Sequence, residues 1–536
     1  MALTSTLASA QSATPAGPPR DKPGPKTGTG IIRGRILGPD AMPLRRAQVQ
    51  LQPMSGSDGG PRVTVTGDDG RYEFVQLPAG RYGLSASKGG FVDINYGQRR
   101  PFEQGRPIDL TTGQVMDRVD VTLPQGAVVT GRVTDETGEP VAQAYVQLSR
   151  YRFTTGKRRL EPLFGDSTDD RGEFRIFGVS PADYFLTASY SEAPNRSNDP
   201  VRYVRTFFPG TASVAEAQRV RVKLGEELSG VTLALIRQRA VSISGVVRSS
   251  TATPPGSTMV LAHRNDDNGD DWRMGQAGND GVFSITGVLP GSYTLEAESH
   301  FGGDRASTQV AVTSADVAGV ILTLSSGTTA RGRVRFESGS PPRDLAPSQV
   351  FLFAVPAAGG AIGVDRQPPV VRSDWTFEIT ALHGPLMLTG GSFPDWHIKT
   401  VTVSGNDFTE QPIDFSRGDV EGIEVVLSNR QTEVAGRVTD GRGGVAGDSS
   451  VVIFAADPER WTIRSGKIAM ARPDQQGRFS VKGLRAGRYL AIALDYLEQG
   501  QEHDPDLLTA WARVATSFTL GDGESRTVDL TVTQTN

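Results

Sequence analysis

The chain has 536 residues, of which 37% are hydrophobic, with 63 glycines, 34 prolines and few methionines, a profile of short strands and frequent turns spread over several cores rather than one helical bundle. With 56 basic against 60 acidic residues the net charge is -4, so no overall field exists to hold a polyanion and nucleic acid is set aside as a partner. The absence of cysteine excludes disulfides, thiolate zinc sites and thiol nucleophiles, and no apolar run reaches the length of a membrane span.

Residues 1–30 begin "MALTSTLASA", in which Ala8-Ser9-Ala10 has the small-x-small form of a signal-peptidase site; a tether rich in Pro, Gly and Thr follows. The segment is expected to be the remnant of an export signal, or else a disordered start, and it favours a secreted, periplasmic or cell-surface location. Beyond it an opening signature recurs five times, as "IIRGRI" at Gly34, "VVTGRV" at Gly131, "SISGVV" at Gly245, "TARGRV" at Gly332 and "EVAGRV" at Gly436. The intervals run from 87 to 114 residues, the size of one immunoglobulin-like sandwich.

Each unit then repeats the same order of elements. An alternating run follows the signature: "AQVQL" (47–51), "AYVQL" (144–148), "STMVLA" (257–262), "SQVFLFA" (348–354) and "SVVIFA" (450–455). Next comes a turn that closes on Gly70, Gly172, Gly281 and Gly477, each one to three residues after an Asp, where a hairpin needs positive φ. An aromatic after the turn and the residue closing the next turn are ten apart in every unit: Tyr72 and Tyr82, Phe174 and Tyr184, Phe283 and Tyr293, Phe377 and Met387, Phe479 and Tyr489. The tyrosine is expected to bury its ring and bond backbone upstream, as in a tyrosine corner. Closing strands read "VDVTL" (119–123), "VTLAL" (231–235), "VILTL" (320–324), "IEVVL" (423–427) and "VDLTV" (528–532). The expected sandwiches span residues 31–125, 126–238, 239–326, 327–429 and 430–536, the fourth divergent, joined by short linkers into a semi-stiff rod or arc.

Three units carry insertions before the closing strand, at 89–107, 200–220 and 496–515. The last contains Asp504-Pro505 followed by a helical pattern that places Leu507, Leu508, Trp511 and Val514 on one face. Such loops cover a sheet edge or meet a partner, covering being the commoner use. Tyr203, Phe207 and Phe208, interleaved with arginines, suit protein or glycan contact. Trp272, Trp396, Trp461 and Trp511 fall in expected loops or insertions, where an exposed indole stacks on a sugar face; the plainer reading is a tryptophan capping a core.

The pattern "GRV.D..G.P...A.V.L", then "T.D.G.F.F..L..G.Y.L", then "V...L", resembles the carboxypeptidase regulatory-like domain, most closely at "VVTGRVTDETGEPVAQAYVQLSR" (128–150). That resemblance implies an all-β tandem array of about five Greek-key, prealbumin-like sandwiches, related to carbohydrate-binding-like and Cna-B-type folds, and a non-catalytic module of exported bacterial chains. It does not carry the peptidase, because none of His263, His300, His383, His397 and His503 has a glutamate three residues on. The Lys-to-Asn crosslink of some Cna-B relatives is not expected either, since the opening strands carry arginine or apolar residues where the lysine would stand.

No nucleophile elbow, phosphate loop or dinucleotide fingerprint is present. The segment "NDDNGDDW" (265–272) is the most calcium-like, with Asp266, Asp267, Asp270 and Asp271 as ligands, although its register is not that of an EF-hand and a solvated hairpin tip explains it as well. No other cofactor is expected. These readings lead to a monomeric, non-enzymatic scaffold that binds carbohydrate or a cell-surface protein, with a purely structural spacer as the alternative.

Overall fold

The computed structural model describes residues 28–54, 60–154, 157–190, 201–249, 258–265, 272–299, 304–343, 345–356, 371–390, 396–462 and 466–534. Five separate apolar cores follow one another along these residues, centred on Ile32–Leu123, Ala127–Leu235, Val241–Leu324, Ala330–Leu427 and Val434–Leu530. They are referred to below as units 1 to 5. The protein is a tandem array of prealbumin-like β-sandwiches.

Unit 2 shows how the pattern builds one sandwich. Its first strand, Ala127–Thr134, pairs antiparallel with Glu173–Val179 and parallel with Glu227–Ala234 to form one sheet. The second sheet is built on Tyr145–Thr154, which pairs with Lys157–Ser167 on one side and Ala182–Ser189 on the other. Val129, Val133, Val146, Leu148, Phe174 and Ile176 alternate inward from both sheets and are almost fully buried.

The signature glycine has a physical reason in every unit. Gly131 pairs with Phe174 on one side and Val231 on the other, and a Cβ there would lie 2.0 Å from the Val231 carbonyl oxygen and 2.7 Å from the Phe174 ring. The same closing-strand carbonyl would meet a Cβ at Gly34, Gly245, Gly332 and Gly436 at 1.9 to 2.3 Å. The ladder with the closing strand shifts register here in units 2, 3 and 4, so the backbones approach too closely for any side chain, and the aromatic ring across the strand fills the space.

The recurring tyrosine is a corner. Tyr82, Tyr184, Tyr293 and Tyr489 are at most 2% exposed. The hydroxyls of Tyr82, Tyr184 and Tyr489 donate to the carbonyls four residues upstream, of Pro78, Ser180 and Arg485, at 2.8, 2.7 and 2.5 Å. Unit 4 lacks the turn glycine, and Trp375 takes its place with φ of 65°. Its carbonyl accepts from Val334 as those of Gly70 and Gly172 do from Ile36 and Val133, while its indole packs edge-on against Phe336 at 4.7 Å.

The insertions divide their work. In unit 5 the helix Pro505–Trp511, capped by the Asp504 side chain, buries Leu508 and Trp511 against Val452, Phe454, Ile492 and Leu494, so it covers the outer face of its own sheet. Val514, expected on the same face, is 64% exposed because the helix ends before it. The unit 2 insertion adds Thr206–Phe207 to the edge of Ala182–Ser189.

The expected rod or arc is not what forms. Unit 5 folds back onto units 1 and 2. Backbone N–H of Gln499 donates to the carbonyl of Phe102 at 3.1 Å, Glu103 and Glu498 form a β-bridge, and the Tyr496 hydroxyl donates to the Pro101 carbonyl at 2.9 Å. Ion pairs join Arg106 to Asp448, Arg100 to Asp495 and Arg150 to Glu498. Short linkers set only neighbour spacing; the 89–107 and 496–503 insertions supply complementary surfaces that close the array.

Candidate functional site

The residues singled out from sequence have different fates. Trp396 is 7% exposed inside the unit 4 core and edge-on to Phe336. Trp511 is 8% exposed under the unit 5 helix, and Trp461 is half-buried, its Nε1–H donating to the Ala455 carbonyl at 2.8 Å with the ring edge-on to Phe454. Phe207 is fully buried and Phe208 packs on the unit 2 core. Buried indoles and phenyls offer no ring face to a ligand, so these residues are core rather than contact. Tyr203 donates its hydroxyl to Glu136 at 3.0 Å beneath the Arg237 guanidinium, and burial together with that carboxylate pushes the phenol up to about 12. Asp266, Asp267, Asp270 and Asp271 lie outside the described residues. Among the described residues no group of three or more His, Asp or Glu side chains could hold a metal ion.

Trp272 is different. It opens the strand Trp272–Gln276 and is 51% exposed. Cross-strand register places Trp272 opposite His263, Met274 opposite Leu261 and Gln276 opposite Met259, all on the outer face of the four-stranded sheet of unit 3. Met259 and Met274 are also exposed, at 48% and 59%. The next strand continues the face with Thr294 and Glu296. His263 Nε2 lies 3.7 Å from Glu296, whose carboxyl is raised above the ordinary range by burial. The result is a flat apolar strip bordered by hydrogen-bonding groups.

The second place of interest is the junction of units 1, 2 and 5. Arg150 Nη2 donates to Glu498 Oε1 at 3.0 Å, both side chains 17% exposed, and its guanidinium carbon lies 4.2 Å from the Phe102 ring centre. Glu498 Oε1 also lies 3.0 Å from the Tyr496 hydroxyl, which shares its one proton between this carboxylate and the Pro101 carbonyl, and the Tyr496 ring carries Arg100. A Cβ on Gly500 would lie 2.3 Å from the Phe153 carbonyl, so the φ of 99° and the missing side chain together let this turn sit on unit 2. Here a hollow of about 320 Å³ opens between the three units.

None of these junction residues was singled out from sequence. A signal was present: the second hairpin of unit 2 runs "SRYRFTTGKRRL" with strands of 10 and 11 residues, against 6 and 4 for the matching hairpin of unit 1. Its aromatic and arginine alternation continues past the sandwich, where no core needs it.

The fold defines a class, a tandem array of β-sandwiches. Residues 31–124 and 128–235, which form units 1 and 2, each match the carboxypeptidase regulatory-like domain. Among solved structures the chain is similar to the minor pilin of Streptococcus agalactiae (14% identity, 39% of this chain and 95% of that one, TM-score 0.21). It is also similar to two B repeat units of the collagen-binding protein of Staphylococcus aureus (11%, 74% and 99%, 0.14) and to the full-length RrgB pilus protein of Streptococcus pneumoniae (10%, 75% and 97%, 0.16). No curated protein matches the chain.

Proposed function

We propose that this protein is a non-catalytic, exported recognition scaffold that binds a carbohydrate polymer on the outer face of the unit 3 sheet. The observation that carries the reading is the exposed Trp272 with Met274, Met259 and Leu261 beside it and His263, Glu296 and Thr294 along the border. A pyranose stacks its C–H face on such a ring while its hydroxyls meet the polar edge. Export is supported by the Ala8-Ser9-Ala10 pattern, and no helix among the described residues is long and apolar enough to cross a membrane. The spacer alternative fits less well, because an array whose last unit packs on its first two does not hold its ends apart.

A glycan array and envelope-polymer pull-down with the intact chain test the reading. Trp272→Ala is expected to weaken polymer binding by roughly tenfold or more, since one aromatic contact is worth about 1.5 kcal/mol. Binding that survives Trp272→Ala unchanged would sink the site, and retention of a surface protein instead of any glycan would turn the reading to protein recognition.

A further inference from the structure

We propose that the hollow where units 1, 2 and 5 meet is a second binding site, taking a carboxylate carried on a compact ring of hexuronate size. It lies away from the Trp272 face and needs no part of it. The hollow of about 320 Å³ is at the lower end of small-ligand pockets, enough for one sugar ring.

Its floor is a ladder across the outer face of unit 2. The Arg158 guanidinium lies 4.6 Å from the Tyr151 ring centre, Tyr151 meets Phe185 edge-on at 5.7 Å, and Arg219 lies 5.4 Å from the Phe185 ring centre. A guanidinium resting on an aromatic face keeps its N–H edge free, and that edge matches the two oxygens of a carboxylate. The remaining walls come from the other units: Phe102 from unit 1 and Tyr496 from unit 5, apolar surface for the body of a ring.

The charges are uneven. Three arginines and two carboxylates line the hollow. Glu498 is taken by Arg150, and Asp183 pairs with Arg221 at 4.0 Å. Among the described residues neither Arg158 nor Arg219 has a carboxylate within ion-pair distance, and Arg150 Nη1, also on this wall, is buried without an acceptor. Arg158 and Arg219 keep one side toward solvent, whereas Arg150 Nη1 on the same wall is buried with no acceptor, so a carboxylate seated in the hollow meets an unpaired buried donor flanked by two further guanidinium groups, and a neutral sugar leaves that charge unmet. Because all three units contribute, ligand binding and closure of the array are linked: each stabilises the other by mass action.

The test is calorimetric titration of the intact chain with sodium glucuronate, with glucose, acetate and N-acetylglutamate as comparison probes and circular dichroism as the check on folding. Saturable glucuronate binding is expected, absent for glucose and at least tenfold weaker for acetate and N-acetylglutamate. Arg158→Ala and Arg219→Ala each weaken it tenfold or more, and Trp272→Ala leaves it unchanged. No saturation in the millimolar range, equal binding of glucose or acetate, or full binding by folded Arg158→Ala and Arg219→Ala variants would each overturn the proposal. A preference for N-acetylglutamate would overturn the sugar body and point to an acidic peptide.

Discussion

Closure of the array on itself is the feature most open to direct attack, through the pair Arg150 and Glu498. The two side chains are 17% exposed, 3.0 Å apart, and sit in a contact that also holds Phe102 and Tyr496. Removing Glu498 leaves the Arg150 charge without its carboxylate in a largely desolvated place. Breaking a fully buried pair in this way costs about 3–5 kcal/mol; the residual exposure on both partners brings the expectation for Glu498→Ala to about 2–3 kcal/mol. Arg150→Ala loses the pair and the stacking on Phe102, and the double variant is expected to cost about 1–2 kcal/mol less than the sum of the single ones. Because the chain has no cysteine, Asp170→Cys on unit 2 and Thr509→Cys on unit 5 place two labels without background. The distance between them, followed through a urea titration, then reports undocking before any unit melts. A coupling below about 0.3 kcal/mol, or a distance that never changes until the sandwiches unfold, would refute the claim that this pair holds unit 5 to unit 2.

Three further outcomes are expected. Gly131→Ala forces a Cβ against the Val231 carbonyl and should lower the stability of unit 2 by at least about 2 kcal/mol, seen as an earlier calorimetric transition; an unchanged profile would remove the close-approach account of the signature glycine. At Trp375, glycine should be more stable than alanine by about 1 kcal/mol although both lose the indole packing on Phe336, because only alanine keeps a Cβ at φ of 65°; equal stability would show that the turn is not strained. Burial holds the imidazoles of His383, His397 and His503 below their ordinary value of 6.5, so the folded state favours the neutral ring. Their stabilisation is present above that value and is lost as pH falls from it through the folded values, so melting temperature should already decline below about pH 6.5 rather than only in the carboxylate range; a flat profile between pH 7 and pH 5 would contradict it.

Most of the fold was legible in the chain because its determinants are local. A glycine where two backbones touch, a glycine closing an Asp-containing turn, and a tyrosine ten residues after an aromatic each encode geometry over a few residues, and recurrence in four or all five units separates them from chance. Alternation told which side of each strand faces the core. It did not tell which tryptophans face solvent: Trp396 and Trp511 sit in segments that read as loops or insertions, where contact with a ligand and capping of a core were both open, and they are buried because those segments fold back on their own sandwiches. The same was true of Phe207, which an added edge strand carries inward.

The repeating unit, its strands, its turns and its buried tyrosines are written in the chain, since each unit buries its own core with residues close in sequence. Closure of the array is not, and it emerges only when the five units are packed together. Arg150 and Glu498 lie 348 residues apart, and no periodicity or spacing links them. Their meeting depends on how four successive junctions orient the units, on the Gly500 turn fitting against Phe153, and on the insertion of unit 1 reaching both unit 2 and unit 5. The hollow with its free arginines exists only after that closure, because its walls come from three sandwiches that share no local pattern.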